Sequence, residues 1–212
     1  MMVQGYKSID ALPATLRVYG ASDYATMEPQ KGKKEPDFTE HGVVGMCPHG
    51  DLWFVDWWYG QKETDKSIAQ FIRLIGIWKP QRWWNEGGLI DKAIGPAIRD
   101  GMRRSNRYVA IESLPSILDK GAKLQSFHAR AAAGTVHFPI RAPWAERVIE
   151  QLIKFPAGRW DDAADVCGLI GRGLDQMFAP SEPVAERRPM LVPFTAQWLE
   201  HNQFEKPKVR YF

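Results

Sequence analysis

The chain has 212 residues, of which 44% are hydrophobic and 25% charged, and its formal net charge is +3. These values are ordinary for a globular protein and allow one domain with a substantial core, while the mild positive charge permits a polyanionic partner without requiring one. Two cysteines, Cys47 and Cys167, lie far apart in apolar surroundings, which disfavours a zinc site or a disulfide framework. Neither a membrane span nor a secretory leader is recognisable, so we expect no membrane partner and no secretion.

Three strands are predicted in the first third of the chain, over residues 16–23, 41–47 and 52–59. A polar loop separates the first two, and a short turn at residues 48–51 separates the second from the third. Strands connected in this way form an antiparallel meander.

Helices and strands alternate after the meander. Apolar residues at helical spacing predict a helix over residues 64–78, and a strand over residues 82–86 follows. The same patterns predict, in chain order, a helix at 89–104, a strand at 108–112, a helix at 120–133, an extended piece at 135–140 and helices at 143–155 and 161–177. A meander followed by such alternation predicts a mixed α/β sheet flanked by helices.

The domain organisation follows from the same patterns. Residues 1–15 have no clear periodicity and are interpreted as a lead-in, and residues 16–179 hold the predicted domain. Residues 180–212 are rich in proline and charge, which predicts an extended C-terminal tail.

Acidic residues stand at three points where such a sheet concentrates functional groups. Asp23 ends the first predicted strand, Glu86 ends the fourth, and Asp161, Asp162 and Asp165 open the last helix. Functional groups in α/β sheets gather at the carboxyl ends of strands. These acids therefore meet at one point if the first and fourth strands are neighbours.

The acids at the start of the last helix allow two interpretations. Aspartate is a good N-cap and its charge suits the positive end of the helix dipole, which explains one or two of them. Asp165 fits that interpretation less well, because like charges three or four residues apart repel. A divalent cation would reverse that cost. On this stretch alone, the structural and the metal-binding interpretations both stay open.

Several blocks in a fixed order resemble the C-terminal nuclease domain of tailed-phage terminase large subunits. The most specific is FPAGRWDDAAD at residues 155–165. The others are LRVYGASDYA at 16–25, DFTEHGVVG at 37–45, DWWYGQ at 56–61, WKP at 78–80, NEGGLI at 85–90, ARAAAG at 129–134 and APW at 142–144. The resemblance implies a ribonuclease H-like fold with a mixed five-stranded-type sheet.

The resemblance also implies a metal-dependent DNA endonuclease that holds two Mg²⁺ or Mn²⁺ ions on carboxylates. Asp23 would bridge both ions, and Glu86 and Asp162 would each hold one. Asp161 and then Asp165 follow Asp162 as candidate ligands. Because carboxylates that converge repel each other, we expect at least one of them to have a raised pKa.

Two departures from the family pattern and one missing motif limit what carries over. Trp160 stands where the family often has histidine, and Asn85 stands where it often has a second acid. No phosphate-binding loop of the ATPase type occurs in the sequence. The chain therefore resembles an isolated nuclease domain or one half of a split protein.

The partners implied by the resemblance are double-stranded DNA, a terminase ATPase domain or subunit, a small terminase and a portal, in the cytoplasm of a bacterial host. Two groups of cations are candidate DNA contacts. The first is the loop that follows Asp23, with Lys31, Lys33 and Lys34. The second is spread over the middle of the chain and comprises Arg103, Arg104, Arg107, Lys120, Lys123 and Arg130. A solvated helix face is the alternative interpretation for each member of the second group.

Two other functions are compatible with the same residues. One is a junction resolvase or transposase-like nuclease of the same superfold, which shares the acids. The other is a non-catalytic module that docks on a portal or on a separate ATPase. The five histidines lack metal-ligand spacing and are interpreted as ordinary polar residues.

Overall fold

The computed structural model describes residues 3–8, 11–25, 38–61, 64–117 and 119–182, without the side chains of residues 89–91 and 120. The strands are β1 (Gln4–Tyr6), β2 (Arg17–Asp23), β3 (Thr39–Met46), β4 (Leu52–Gly60), β5 (Arg82–Glu86), β6 (Ala110–Leu114) and β7 (Val136–Pro139). The α-helices are α1 (Thr64–Trp78), α2 (Leu89–Ser105), α3 (Lys120–Ala132), α4 (Pro143–Lys154) and α5 (Asp162–Arg172). A short 3₁₀ helix, Leu174–Gln176, follows α5.

The strands form one mixed sheet in the order β1-β7-β4-β3-β2-β5-β6. Strands β2, β3 and β4 make the predicted antiparallel meander. Strand β5 pairs in parallel with β2 on one side and with β6 on the other. The predicted mixed α/β sheet is therefore confirmed. The first and fourth predicted strands are neighbours, which is the condition for their acids to meet.

The sheet extends beyond the five predicted strands. The piece predicted as extended forms β7, which pairs with β4, and β1 pairs with β7 at the edge. Strand β1 has only three residues, two of them exposed, so it carries too little apolar pattern to be recognised in the sequence.

Two predicted boundaries are wrong. The strand predicted at residues 108–112 begins later, because Asn106 takes a left-handed conformation after α2 and Tyr108, 64% exposed, still belongs to the connection. The last helix ends at Arg172 instead of about residue 177. A Cβ on Gly173 would lie 2.5 Å from the Trp84 ring, so this glycine allows the chain to turn against the sheet.

Apolar side chains fill both sides of the sheet. Helices α1 and α2 cover one face over a core that includes Phe71, Trp83 and Ile98. Helices α3, α4 and α5 cover the other face over a core that includes Phe127 and Trp84. Within the described residues no helix has the length and apolarity to cross a bilayer. The predicted tail lies outside them from residue 183 onward.

Candidate active site

Asp23 and Glu86 lie at the same end of the sheet. Strands β2 and β5 are parallel, and Ser22 is directly paired with Asn85. The next residue on each strand is the acid, so the two carboxylates end adjacent strands. Neighbouring strands are about 4.8 Å apart, which brings the two side chains close together.

The beginning of α5 supplies the remaining acids at this end of the sheet. Asp162 opens the helix and is only 5% exposed, and Asp165 follows one turn later. The Ala163 N–H donates to Gln151 Oε1 of α4 at 2.9 Å, which satisfies one of the unpaired amides of the first turn. Asp161 is the N-cap residue, but its side chain makes no capping hydrogen bond. The expected N-cap hydrogen bond is therefore absent at Asp161, while Asp162 and Asp165 in the first turn still suit the positive end of the helix dipole.

Helix α3 approaches α5 closely because two glycines face it. A Cβ on Gly168 would lie 3.0 Å from the Lys123 carbonyl oxygen, and a Cβ on Gly171 would lie 2.8 Å from the Phe127 nitrogen. Larger residues there would separate the helices. The close approach brings Lys123, in the first turn of α3, to the carboxylates of α5 and β5.

The Lys123 ammonium bridges two of the predicted site acids. Its Nζ lies 2.9 Å from Glu86 Oε1 and 3.4 Å from Asp165 Oδ1. The Ser116 hydroxyl donates to the same Glu86 oxygen at 2.7 Å. Lys123 was predicted as a DNA contact, but its side chain is only 16% exposed and is directed between the carboxylates.

The charges of this cluster shift several pKa values. Burial, and then the charges of Asp165, Asp162, Glu86 and Glu40, raise the pKa of Asp23 well above its ordinary value. This confirms the expectation that a carboxylate of the cluster has a raised pKa. The cluster therefore favours a cation near Asp23.

The pKa values of Asp165 and Glu86, the two acids that contact Lys123, shift in opposite directions. Burial raises the pKa of Asp165, and the Lys123 charge only partly opposes it. Burial also acts on Glu86, but the hydrogen bonds from Ser116 and Lys123 outweigh it and lower the pKa of Glu86. Glu86 accepts an additional hydrogen bond from Ser116 and lies closer to Lys123, whereas the charges of Asp161 and Glu86 add to the raised pKa of Asp165.

A second, fully buried acid lies beside Asp23. Glu40 on β3 is directly paired with Asp23 on β2 and is 0% exposed. Its carboxylate accepts hydrogen bonds from Arg147 Nη1 at 2.6 Å and from Trp57 Nε1 at 2.8 Å. Burial raises the pKa of Glu40, although Arg147 opposes this effect. Glu40 is thus an ion-paired structural neighbour of the site.

The strand pair that carries Asp23 is supported by a buried histidine. His41 Nε2 donates to the Ser67 carbonyl at 3.0 Å. The Ser22 hydroxyl lies 2.7 Å from His41 Nδ1, to which it can donate, and it accepts a hydrogen bond from Trp83 Nε1. Burial lowers the pKa of His41 to about 4, which matches a neutral ring that donates on one side and accepts on the other. The interpretation of this histidine as an ordinary polar residue is confirmed.

The acids are close together, but their side chains are not arranged as a set of metal ligands. Across the described ranges, no three His, Cys, Asp or Glu side chains are arranged to hold a metal ion. The cleft between Glu86, Lys123 and Asp165 has a volume of about 10 Å³, room for about one water molecule. Carboxylate oxygens grouped around an ammonium nevertheless fit a hard divalent cation, with Lys123 as the present counter-charge.

Apart from Lys123, the predicted DNA-contacting cations whose side chains the structure describes do not join this cluster. Arg103 and Arg104 form ion pairs with Asp100 at the end of α2, and Arg130 donates to the Gly50 carbonyl at the β3–β4 turn. Arg107 donates to the Ile72 carbonyl. Arg103 and Arg104 lie in the last turn of α2, and Arg130 lies beside the β3–β4 turn, which is at the opposite end of the strands from Asp23. A basic stretch in sequence is therefore not a basic patch beside the acids. Lys31, Lys33, Lys34 and the Lys120 side chain lie outside the described residues.

Asn85 lies on the other face of the sheet from Glu86. It lines a cleft of about 470 Å³ with residues of α2 and β6, among them Lys92 and Arg99. Side chains alternate along a strand, so an acid at position 85 would not reach the Glu86 cluster from the same face.

Sequence reasoning missed Glu40, Arg147 and Ser116 and assigned Lys123 a different role. A sequence signal existed for Glu40, because a charged residue inside a strand that then runs apolar needs a buried partner. The other three residues reach the site through the packing of α3, α4 and the loop after β6, for which no local pattern exists.

No family model and no curated protein matches the chain. Solved structures of similar fold include nucleases of bacterial viruses. The magnesium-bound large terminase nuclease of thermophilic phage G20c is 11% identical, with a TM-score of 0.53 over 81% of this chain and 92% of that chain. The nuclease domain of the large terminase subunit gp2 of bacterial virus Sf6 is 10% identical, with the same TM-score and coverage. A variant of the Sf6 domain with manganese and beta-thujaplicinol is 9% identical, with a TM-score of 0.51 over 78% of this chain and 89% of that chain. The predicted ribonuclease H-like fold, similar to that of large-terminase nuclease domains, is confirmed.

Proposed function

We propose that this protein is a metal-dependent DNA endonuclease that hydrolyses phosphodiester bonds, and that Asp23, Glu86 and Asp162 are its catalytic residues. The observation that carries the proposal is the meeting of acids from two adjacent strand ends and one helix start, where the Lys123 ammonium bridges Glu86 and Asp165. Converging carboxylates require cations, and hard oxygen donors favour Mg²⁺ or Mn²⁺. The fold shared with magnesium- and manganese-bound nucleases supports the same chemistry.

Each residue of the cluster has a separate part in this proposal. Asp23, Glu86 and Asp162 would hold the metal, with Asp161 and Asp165 as further ligands. Two divalent ions bound there supply a nucleophilic water and stabilise charge on the phosphate. The raised pKa of Asp23 makes its ionisation dependent on a nearby cation.

Two residues would prepare Glu86 for that metal. The Ser116 hydroxyl holds one carboxylate oxygen in a fixed direction. Without metal, the Lys123 ammonium neutralises part of the negative charge of Glu86 and Asp165. It would lose these contacts when a divalent ion binds.

The substrate and partners are proposed from the same likeness. The substrate would be concatemeric viral double-stranded DNA, cut during genome packaging in the cytoplasm of a bacterial host. ATP hydrolysis would come from a separate domain or subunit, since the sequence holds no phosphate-binding loop. A small terminase and a portal would be the further partners.

A plasmid-nicking assay with Mg²⁺, Mn²⁺ or EDTA tests the activity. We expect nicking with either metal and none with EDTA. Asp23→Asn should abolish nicking while the protein stays folded, because the substitution keeps the shape and removes one carboxylate from the acidic cluster. Asp100→Asn, an ion-paired acid on the surface of α2, is the matched control and should cut like the wild type. Full activity of Asp23→Asn would contradict the proposed site.

Thermal unfolding with metal provides a readout that does not depend on cutting. An ion that binds only the folded state stabilises it by about 2.7 kcal/mol at a hundred times its dissociation constant. Mn²⁺ should act at lower concentration than Mg²⁺. Asp162→Ala should lose most of the shift and Asp100→Ala none. An equal shift in the wild type and in Asp162→Ala would mean that the metal binds elsewhere.

A further inference from the structure

Three aromatic side chains form a cluster beside the acids, and the proposed chemistry does not use them. The aromatic cluster comprises Phe38 before β3, Tyr59 near the end of β4 and Trp160 before α5. The Phe38 ring lies 5.2 Å from the Trp160 ring in an edge arrangement and 6.0 Å from the Tyr59 ring. These contacts make one continuous aromatic surface from three separate elements.

The aromatic cluster lies in line with the carboxylates. Asp23 on β2 pairs with Glu40 on β3, and Glu40 pairs with Tyr59 on β4. Two strand spacings separate Asp23 from Tyr59, so their backbones are roughly 10 Å apart. This distance equals about three nucleotides of one stacked DNA strand. Trp160 contacts Phe38 and lies two residues before Asp162 in the sequence.

Arginines hold the rings in place. The Arg147 guanidinium lies 4.1 Å from the centre of the Tyr59 ring and 4.6 Å from that of Phe38, while its ion pair with Glu40 anchors it. The exposed Arg159 guanidinium lies 5.0 Å from the Trp160 ring. Rings fixed in this way lose little conformational entropy when a flat ligand binds.

A purely structural cover for the Glu40–Arg147 pair would be expected to bury its rings. Tyr59 instead keeps 39% of its surface exposed, and Phe38 and Trp160 are only half-buried. Partly exposed rings with the exposed Arg159 guanidinium beside Trp160 suit a flat, anionic partner. Unpaired nucleotides offer base faces for stacking and phosphates for the cation, whereas a closed duplex hides its base faces.

We infer that Phe38, Tyr59 and Trp160 form a stacking surface for unpaired bases of the DNA strand that is cut. The inference rests on the proposed nuclease function and adds to it the state of the substrate. The strand next to the scissile phosphate is unstacked from its complement and held on the aromatic cluster. Single-stranded DNA and duplexes with a short unpaired bubble therefore bind more tightly than a perfect duplex.

Binding without metal tests this inference. Fluorescence anisotropy in EDTA compares a labelled single strand, a bubble duplex and a perfect duplex. Tyr59→Leu and Trp160→Leu should each weaken single-strand and bubble binding by about fivefold or more, the lower bound for losing one stacked base. Perfect-duplex binding should change little. Tyr108→Leu removes a ring that is 64% exposed after α2 and is the matched control, with no expected change.

The outcomes separate the alternatives. An equal loss for single strand and duplex, or no loss for either, would overturn the inference. A lower melting temperature with an unchanged binding ratio would mean that the rings only cover the ion pair, which also overturns it. Should a leucine variant fail to fold, photo-crosslinking of a bromouracil strand to the wild type should label the peptide that contains Tyr59 or Trp160. Labelling elsewhere contradicts the inference.

The same experiments distinguish this inference from the nuclease proposal. A single-strand preference without metal-dependent nicking would leave the stacking surface intact and remove the nuclease function. Normal nicking without any single-strand preference would support the nuclease function and overturn the stacking surface.

Discussion

Replacing Lys123 with methionine tests how the acidic cluster is balanced. Methionine keeps most of the side-chain volume and removes the ammonium that contacts Glu86 at 2.9 Å and Asp165 at 3.4 Å. The three side chains are only 16%, 23% and 22% exposed, so water screens the two acids weakly once the cation is gone. The variant should be less stable without metal and should gain more from metal than the wild type does.

The size of the effect follows from the burial of the pair. Removing one partner of a buried ion pair costs about 3–5 kcal/mol of folding stability. Because Lys123, Glu86 and Asp165 are partly exposed, we expect a loss of about 3 kcal/mol, at the lower end of this range. For a domain of this size, a loss of 3 kcal/mol lowers the melting temperature by roughly 6–12 °C. Mn²⁺ should recover part of this loss, because the freed carboxylates attract the ion more strongly.

Differential scanning fluorimetry with EDTA and with a Mn²⁺ titration measures both effects. Lys154→Met is the matched control, since it removes an exposed ammonium that contacts Glu150 one turn earlier on α4. That variant should melt like the wild type, because exposed pairs contribute little. If Lys123→Met melted like the control in EDTA, the bridging role of Lys123 would be refuted. A Mn²⁺ shift no larger than in the wild type would separate Lys123 from the proposed metal site.

Three further predictions concern the framework of the site. Arg147→Met leaves the buried Glu40 carboxylate without its cation and should cost about 3–5 kcal/mol in chemical denaturation. His41→Gln should be less stable than the wild type at pH 7, and the difference should narrow by up to about 3 kcal/mol towards pH 4. The reason is that the unfolded histidine binds a proton below about pH 6.5 and the folded one only below about pH 4. Gly171→Ala should cost about 1–3 kcal/mol because its Cβ meets the α3 backbone, whereas Gly88→Ala, whose Cβ meets nothing within 4 Å, should change stability little.

Each of these predictions has a result that contradicts it. A small loss in Arg147→Met would mean that Glu40 is uncharged in the folded protein. A constant difference between His41→Gln and the wild type from pH 7 to pH 4 would mean that His41 has the same pKa in the folded and the unfolded protein. Equal stability of the two alanine variants would show that α3 and α5 tolerate a larger separation.

Local pattern determined much of this protein. Period-two and helical spacing of apolar residues located every described α-helix and five of the strands, because each element must present one apolar face to the core. The mixed sheet and the acids at the start of α5 follow from that pattern together with the resemblance. The pattern places Asp23 and Glu86 at strand ends, whereas their adjacency depends on the order of the strands in the sheet. Strand β1 escaped because three residues at an edge bury too little to leave a pattern.

Tertiary packing decided the rest of the site. Lys123 and Asp165 are 42 positions apart, and only the close approach of α3 and α5 through Gly168 and Gly171 turns a surface-like lysine into an internal counter-ion. The basic residues of α2 and α3 showed the reverse, since cations that are near in sequence are carried by their helices away from the acids. Charge acts over a few ångströms of space and not along the chain, so its partners are set by how the elements pack.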